Sequence, residues 1–176
     1  EEKGYRFRSK TDTEVLLYGF QEWGIDIVKR LNGMFAFAVW DSRRRTLYLA
    51  RDRYGIKPLY WAKIGNTFLF ASEIKALLTH PALTAELNLD ALNEYFSFQN
   101  LFRYHTLFKG VNLLQAASVR WINDKDQELK KQTWWDYEFA ARDERMSAEE
   151  AQQETLRLFR QAVTRQLISD VPVGSY

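Results

Sequence analysis

The 176-residue sequence has no cysteine, only two histidines and only three prolines. The absence of cysteine excludes disulfides. His80 stands beside Pro81 and His105 beside Tyr104, with no suitably spaced Cys, Asp or Glu partners, so no metal centre is expected. The eight glycines are scattered. No loop therefore turns closely spaced backbone N–H groups toward a phosphate. No apolar run approaches eighteen residues and no signal-peptide pattern is present, so no membrane partner is expected. The net charge is only +2, which implies no polyanionic partner such as nucleic acid. There is no internal repeat and no low-complexity tract.

What is present is a core in the making. Apolar residues make up 46% of the chain, with six Trp, nine Tyr and twelve Phe, a composition suited to a packed sheet rather than to disorder. Between Leu31 and Leu77 the pattern predicts an antiparallel meander. Met34–Trp40 is an apolar run, and Thr46–Ala50 alternates with Leu47 and Leu49 on one face. Leu59–Lys63 and Thr67–Ala71 form a second pair around the turn dipeptide Gly65-Asn66. Thr11 with Glu14 three residues later reads as a capping box, opening a helix that buries Val15, Leu16, Tyr18 and Phe20 and stops at Gly24. One or two further turns span Ile25–Leu31. A short helix over Glu73–Leu78 is stopped by His80-Pro81. Asp90–Phe98 reads as a helix with Leu92, Tyr95 and Phe96 inward. Thr106–Leu114 reads as an irregular arm. Val119–Asn123 and Leu129–Thr133 read as a hairpin turning at Asp124-Lys125-Asp126. Asp136–Met146 is charged and without apolar period, as a linker is. A second capping box at Ser147–Glu150 opens an amphipathic helix carrying Leu156, Phe159, Val163 and Leu167. Pro172 is expected to end it, with a strand beginning at Val171–Val173.

The wording of these turns resembles the glutaminase domain of glutamine-hydrolysing asparagine synthetases, class II glutamine amidotransferases of the N-terminal-nucleophile type. Four blocks carry the likeness in the right order: Thr11–Leu17, Leu31–Ala38, Ala50–Tyr60 and Ala71–Leu77. A fifth, Ser169–Gly174, resembles the lead-in to the family's ATP-using domain. The resemblance implies an α+β fold: part of an αββα sandwich of antiparallel sheets with helices, followed by the first helix of an α/β synthetase domain of the ATP-pyrophosphatase type. Residues 1–135 are expected to be the C-terminal part of the glutaminase domain, 136–146 the linker, and 147–176 the start of the synthetase domain.

The resemblance also implies what the chain does not carry. The family's nucleophile is an N-terminal cysteine, expected upstream of Glu1. Its ATP-binding pyrophosphate loop is glycine-rich and is expected to begin just after Tyr176. Neither is present here, so this piece, expected to be a fragment at both ends, is expected to be inactive alone and to bind no cofactor. For the parent enzyme the resemblance implies ATP and Mg²⁺, the small-molecule substrates glutamine, aspartate and ATP, a cytoplasmic location, and it admits a homodimer. The rival expectations are a relative without glutaminase activity, of the β-lactam synthetase or peptide cyclase type, and a non-catalytic binding module on the same fold.

Asp12 is the one candidate site residue. By resemblance it binds the α-amino group of glutamine, a charge-assisted role suited to a carboxylate at a helix start. The competing reading of its position is a plain N-cap. Arg51-Asp52-Arg53 reads as a local bridge between opposite charges that organises the Tyr54-Gly55-Ile56 turn, in preference to catalysis. Arg43-Arg44-Arg45 reads as a solvated hairpin tip, and Glu73 as a structural residue at a helix start. The sequence departs from the family at Gln115-Ala116-Ala117-Ser118, where a Pro-Gly pair is usual. That loss is expected to relax the connection.

Overall fold

The computed structural model describes residues 4–125, 129–139, 146–169 and 171–174. They fall into two compact units divided between Asp136 and Tyr137. In the first unit, α1 (Asp12–Trp23) leads through a 3-10 helix (Gly24–Lys29) into four strands: β1 (Ala36–Asp41), β2 (Thr46–Arg51), β3 (Tyr60–Ile64) and β4 (Thr67–Ala71). Then follow α2 (Ile74–Leu77), α3 (Leu89–Phe98), β5 (Val111–Leu113), β6 (Ser118–Asn123) and β7 (Leu129–Thr133).

The meander does not stay in one sheet. β1 and β2 join β6 and β7 in a four-stranded sheet of order β1-β2-β6-β7, whereas β3 sits between β4 and β5 in a second sheet. All pairs are antiparallel. The alternation of β2 explains the layering. Leu47 and Leu49 point at the second sheet and pack with Leu59, Leu114, Trp61 and Phe68. Tyr48 and Ala50 point the other way, toward Val28 of the 3-10 helix, Val119 and Trp134. The Phe20 ring of α1 lies 5.5 Å from that of Tyr48. β2 is thus covered on both faces. Leu49 and Leu114 are fully enclosed, each worth about 1.5–3 kcal/mol of apolar burial. Arg120 enters the same interior, its guanidinium 4.6 Å from the centre of the Trp61 ring. On the outer face of the second sheet, α2 packs against β3 and β4, and Ala62, Val111, Leu77 and Ala91 are buried.

The α+β sandwich is as expected, with local differences. The arm over Thr106–Leu114 contains β5, because pairing with β3 satisfies its backbone. Val15 is half exposed, and Gly19 is the buried position of α1. A methyl group at Gly19 would collide with Ile27 Cδ1, so a larger residue there would have to displace the end of the Ile27 side chain. Tyr95 and Phe96 of α3 are exposed, and Ala91 takes the inward position instead. The connection at Gln115–Ser118 is not relaxed. Ala117 takes up the left-handed turn conformation, with φ of 50°. Its N–H donates to Asp52 O at 2.8 Å, and its carbonyl accepts from Trp134 N at 2.9 Å.

The second unit contains α4 (Ala148–Gln166). Ser147 Oγ accepts from Glu150 N, while Ser147 N donates to Glu150 Oε2 at 2.8 Å, completing the capping box. Leu156, Phe159 and Val163 are exposed. The helix ends at Gln166, ahead of Pro172, and Val171–Val173 form no strand. The middle of the linker segment, 140–145, and Asp126 of the hairpin turn lie outside the described residues. So does Tyr176, the residue after which the pyrophosphate loop is expected, together with Ser175 before it.

Candidate functional site

A cleft of about 510 Å³ opens between the start of α1, the segment leading into β1, and the segment leading into β3. Asp12, Thr13 and Leu16 come from α1; Leu31 to Phe37 form one wall, and Lys57, Pro58 and Ser72 complete the lining. Asp12, the residue expected to carry binding, therefore borders this cleft. It is not an N-cap. Thr11 holds that position, with φ of −86° and ψ of 146°, and makes no side-chain cap bond. Asp12 is the first helical residue, exposed, and its Oδ1 accepts only from the Thr13 hydroxyl at 3.3 Å. A carboxylate in this first turn faces the positive end of the helix dipole with acceptor capacity to spare.

The expected capping box at Thr11 is replaced by another device. Glu14 reaches away from the helix start and accepts from Arg8 N at 2.8 Å, Ser9 N at 2.7 Å and the Ser9 hydroxyl at 2.5 Å. The Ser9 hydroxyl, then the Arg8 N–H, hold the Glu14 carboxyl below its ordinary range. Tyr18 completes the clamp, donating to Arg6 O at 3.1 Å and packing against Tyr5 and Phe7. The segment entering α1, and with it Asp12, is thereby fixed to the helix.

The walls of the cleft are joined by Arg51-Asp52-Arg53. These three side chains organise a turn, but through main-chain groups rather than through the local ion pair expected of them. Asp52 is 2% exposed. Its Oδ1 accepts from Tyr54 N at 3.1 Å and Ile56 N at 3.0 Å; its Oδ2 accepts from Phe35 N at 3.2 Å and Lys57 N at 3.0 Å. One carboxylate thus ties the Leu31–Phe37 wall to the Lys57–Pro58 wall. Arg51 donates to the carbonyls of Lys57 at 2.7 Å, Leu114 at 2.6 Å and Gly55. Burial lowers its pKa, opposed by neighbouring Asp52. Gly55 has φ of 64°, and a Cβ there would meet Arg51 Cζ at 2.8 Å, so this turn requires glycine on both counts. Arg53 donates to Leu31 O at 2.9 Å and lies over the Trp134 ring.

Other residues noted in the sequence lie elsewhere. Arg44 pairs with Asp41 at 3.1 Å and Arg45 with Asp124, both at the far hairpin tip. Glu73 is the N-cap of α2 and sits 2.7 Å from Lys75. His105 does have an acidic partner, Glu94 at 3.0 Å, because the segment after α3 folds back; Phe102 N–H, bonded to the same carboxylate, is the main cause of the lowered Glu94 pKa. His105 borders a second cleft of about 400 Å³ near Tyr60 and Ile74. Among the described residues no group of three or more His, Cys, Asp or Glu gathers to hold a metal, and no helix is long and apolar enough to cross a membrane. Lys57 and Ser72 were not singled out by sequence reasoning. Their only signal is their place within the matching blocks.

Asparagine synthetase [glutamine-hydrolyzing] 3 of Bacillus subtilis is 40% identical over 175 residues, 99% of this chain and 28% of that protein. Amidase chyE of Penicillium rubens is 32% identical over 174 residues, 98% of this chain and 25% of that protein. The chain thus spans about a quarter of the length of these curated relatives. Among solved structures, the glutamine phosphoribosylpyrophosphate amidotransferase of B. subtilis, complexed with ADP and GMP, is similar with a TM-score of 0.48 and 19% identity, over 76% of this chain and 25% of that one. Residues 1–135 match the family described as the glutamine amidotransferase domain, and the chain belongs to that family.

Proposed function

We propose that this chain is part of a glutamine-hydrolysing asparagine synthetase and that the cleft at the start of α1 receives glutamine, with Asp12 accepting from its α-ammonium group. The observation that carries the reading is the placement of Asp12. A carboxylate with spare acceptor capacity borders the cleft in a chain of the glutamine amidotransferase family. In this reading residues 1–135 are the C-terminal part of the glutaminase domain, 136–146 the linker, and 147–176 the start of the ATP-using domain, whose pyrophosphate loop follows Tyr176.

The full-length protein then hydrolyses glutamine by nucleophilic catalysis. A cysteine thiolate attacks the side-chain amide carbon, the C–N bond breaks, ammonia leaves, and water releases glutamate from the thioester. The thiol comes from outside this chain, which has no cysteine. Alone, the chain binds but does not hydrolyse. The role of its residues is orientation: Asp12 holds one end of the substrate, and Asp52 holds the two walls at a fixed separation. ATP and Mg²⁺ belong to the same reading of the full-length protein, with a cytoplasmic location and aspartate as acceptor. The relative named as an amidase favours a second reading of the acceptor, since it matches nearly the whole chain at 32% identity; in that case glutamine hydrolysis persists and the acceptor differs.

The test is to supply the full-length protein with glutamine, aspartate and Mg-ATP and to quantify glutamate and asparagine. Both are expected in equal amounts. Glutamate without asparagine assigns another acceptor, and release of neither refutes the glutaminase reading.

A further inference from the structure

We infer that Arg53 is a positioning residue for the reaction: through the main chain of Leu31 it sets the 32–34 wall of the cleft, without itself touching the ligand. The inference rests on the glutamine reading above. Asn32, Gly33 and Met34 all line the cleft. They lie outside every helix and strand, and none makes a main-chain hydrogen bond among the described residues. Such a span keeps its shape through its two ends. The far end is Phe35, whose N–H donates to Asp52 Oδ2 at 3.2 Å and whose carbonyl accepts from Asp52 N at 2.9 Å. The near end is Leu31, whose N–H donates to Ile27 O at 3.2 Å and whose carbonyl accepts from Arg53 Nη1 at 2.9 Å. Two consecutive residues of one turn, Asp52 and Arg53, thus hold opposite ends of the same wall.

Arg53 is itself held by aromatic rings. No carboxylate pairs with it among the described residues. Its guanidinium lies 5.0 Å from the centre of the Trp134 ring and 6.0 Å from that of Trp135. Trp134 is buried; its N–H donates to Ala117 O at 2.9 Å and its Nε1 to Arg51 O at 3.3 Å. The same indole stacks with the Phe35 ring at 6.1 Å. One buried ring therefore backs both Phe35 at the far end of the wall and Arg53 at the near end. A planar guanidinium seated against it is pre-organised, so little freedom is lost in the bond to Leu31. Without that bond, residues 32–34 are tethered at one end. The ligand must then order them as it binds, which weakens binding and leaves the chemical step unchanged.

The test is steady-state glutamate release from L-glutamine by the full-length protein and its Arg53→Met and Arg53→Lys variants. Methionine keeps an unbranched side chain to cover the indoles but has no N–H for Leu31. Arg53→Met is expected to raise KM about tenfold, as for fixing one further residue on binding, with kcat changed less than about twofold. Lysine supplies both a donor for the carbonyl and a cation for the ring, so Arg53→Lys should stay within about threefold of the wild-type KM. Trp135→Leu, which removes one of the two rings beside Arg53, should raise KM about threefold; it decides alone if Arg53→Met does not fold. An unchanged KM in Arg53→Met, a loss confined to kcat, a lysine variant no better than methionine, or an unchanged KM in Trp135→Leu overturns the assignment of Arg53 and leaves the glutamine reading standing. A wild-type protein that neither binds nor hydrolyses glutamine overturns both.

Discussion

Asp52 divides its two oxygens among four main-chain N–H groups drawn from both walls of the cleft. An asparagine there has one oxygen and turns an NH₂ toward N–H donors, leaving buried donors unsatisfied. Asp52→Asn should therefore destabilise the protein by about 3 kcal/mol, measured by urea unfolding at neutral pH; a loss below about 1 kcal/mol would mean that the carboxylate does not hold the turn. The composition of this turn was legible in the sequence as a structural rather than catalytic group. Its partners were not, because Arg51 reaches Leu114 O and Arg53 reaches Leu31 O only after the strands have paired. Lys57 was illegible for the same reason: only the fold places it on the same cleft as Asp12. Ala117 shows the opposite limit. The missing Pro-Gly pair was visible, yet the surrounding hydrogen bonds hold the turn in a left-handed conformation that alanine adopts at some cost.

At the scale of elements, periodicity located α1, β2, β4, β7 and α4 well, since each carries a strong local pattern. It missed β5, three residues long, which has no pattern of its own and exists because β3 offers an unpaired edge. It also placed a capping box at Thr11, where Glu14 instead clamps the preceding segment. That clamp is pH-dependent. The Glu14 pKa is lowered in the folded protein, chiefly by the Ser9 hydroxyl. Its contribution is therefore complete above the ordinary glutamate range and is lost as pH falls through the lowered folded value. Amide hydrogen exchange at Arg8 and Ser9 should be slow at neutral pH and should lose its protection below the ordinary glutamate range. Glu14→Gln should show the unprotected behaviour already at neutral pH. Protection unchanged by the substitution would remove Glu14 from the clamp.

For the whole first unit, helices cover the outer faces of two stacked antiparallel sheets, and the cleft lies where α1 meets the segments that enter β1 and β3. The sequence blocks that resemble the amidotransferases are the segments that build this cleft and the sheet edges beside it, which is why fold and family were legible together. What the blocks did not reveal is the division of the meander between two sheets, since strand order is set by packing after β5 and β6 arrive. The central claim is that Asp12 binds the α-ammonium of glutamine in this cleft. The most direct measurement is glutamate release from L-glutamine by the full-length protein and by its Asp12→Asn variant, with unfolding midpoints compared in parallel. Since Asp12 is exposed and makes one weak bond, the midpoints should agree, while kcat/KM should fall by about ten- to a hundredfold, the loss of a charge-assisted contact. An unchanged kcat/KM in the variant would contradict the account.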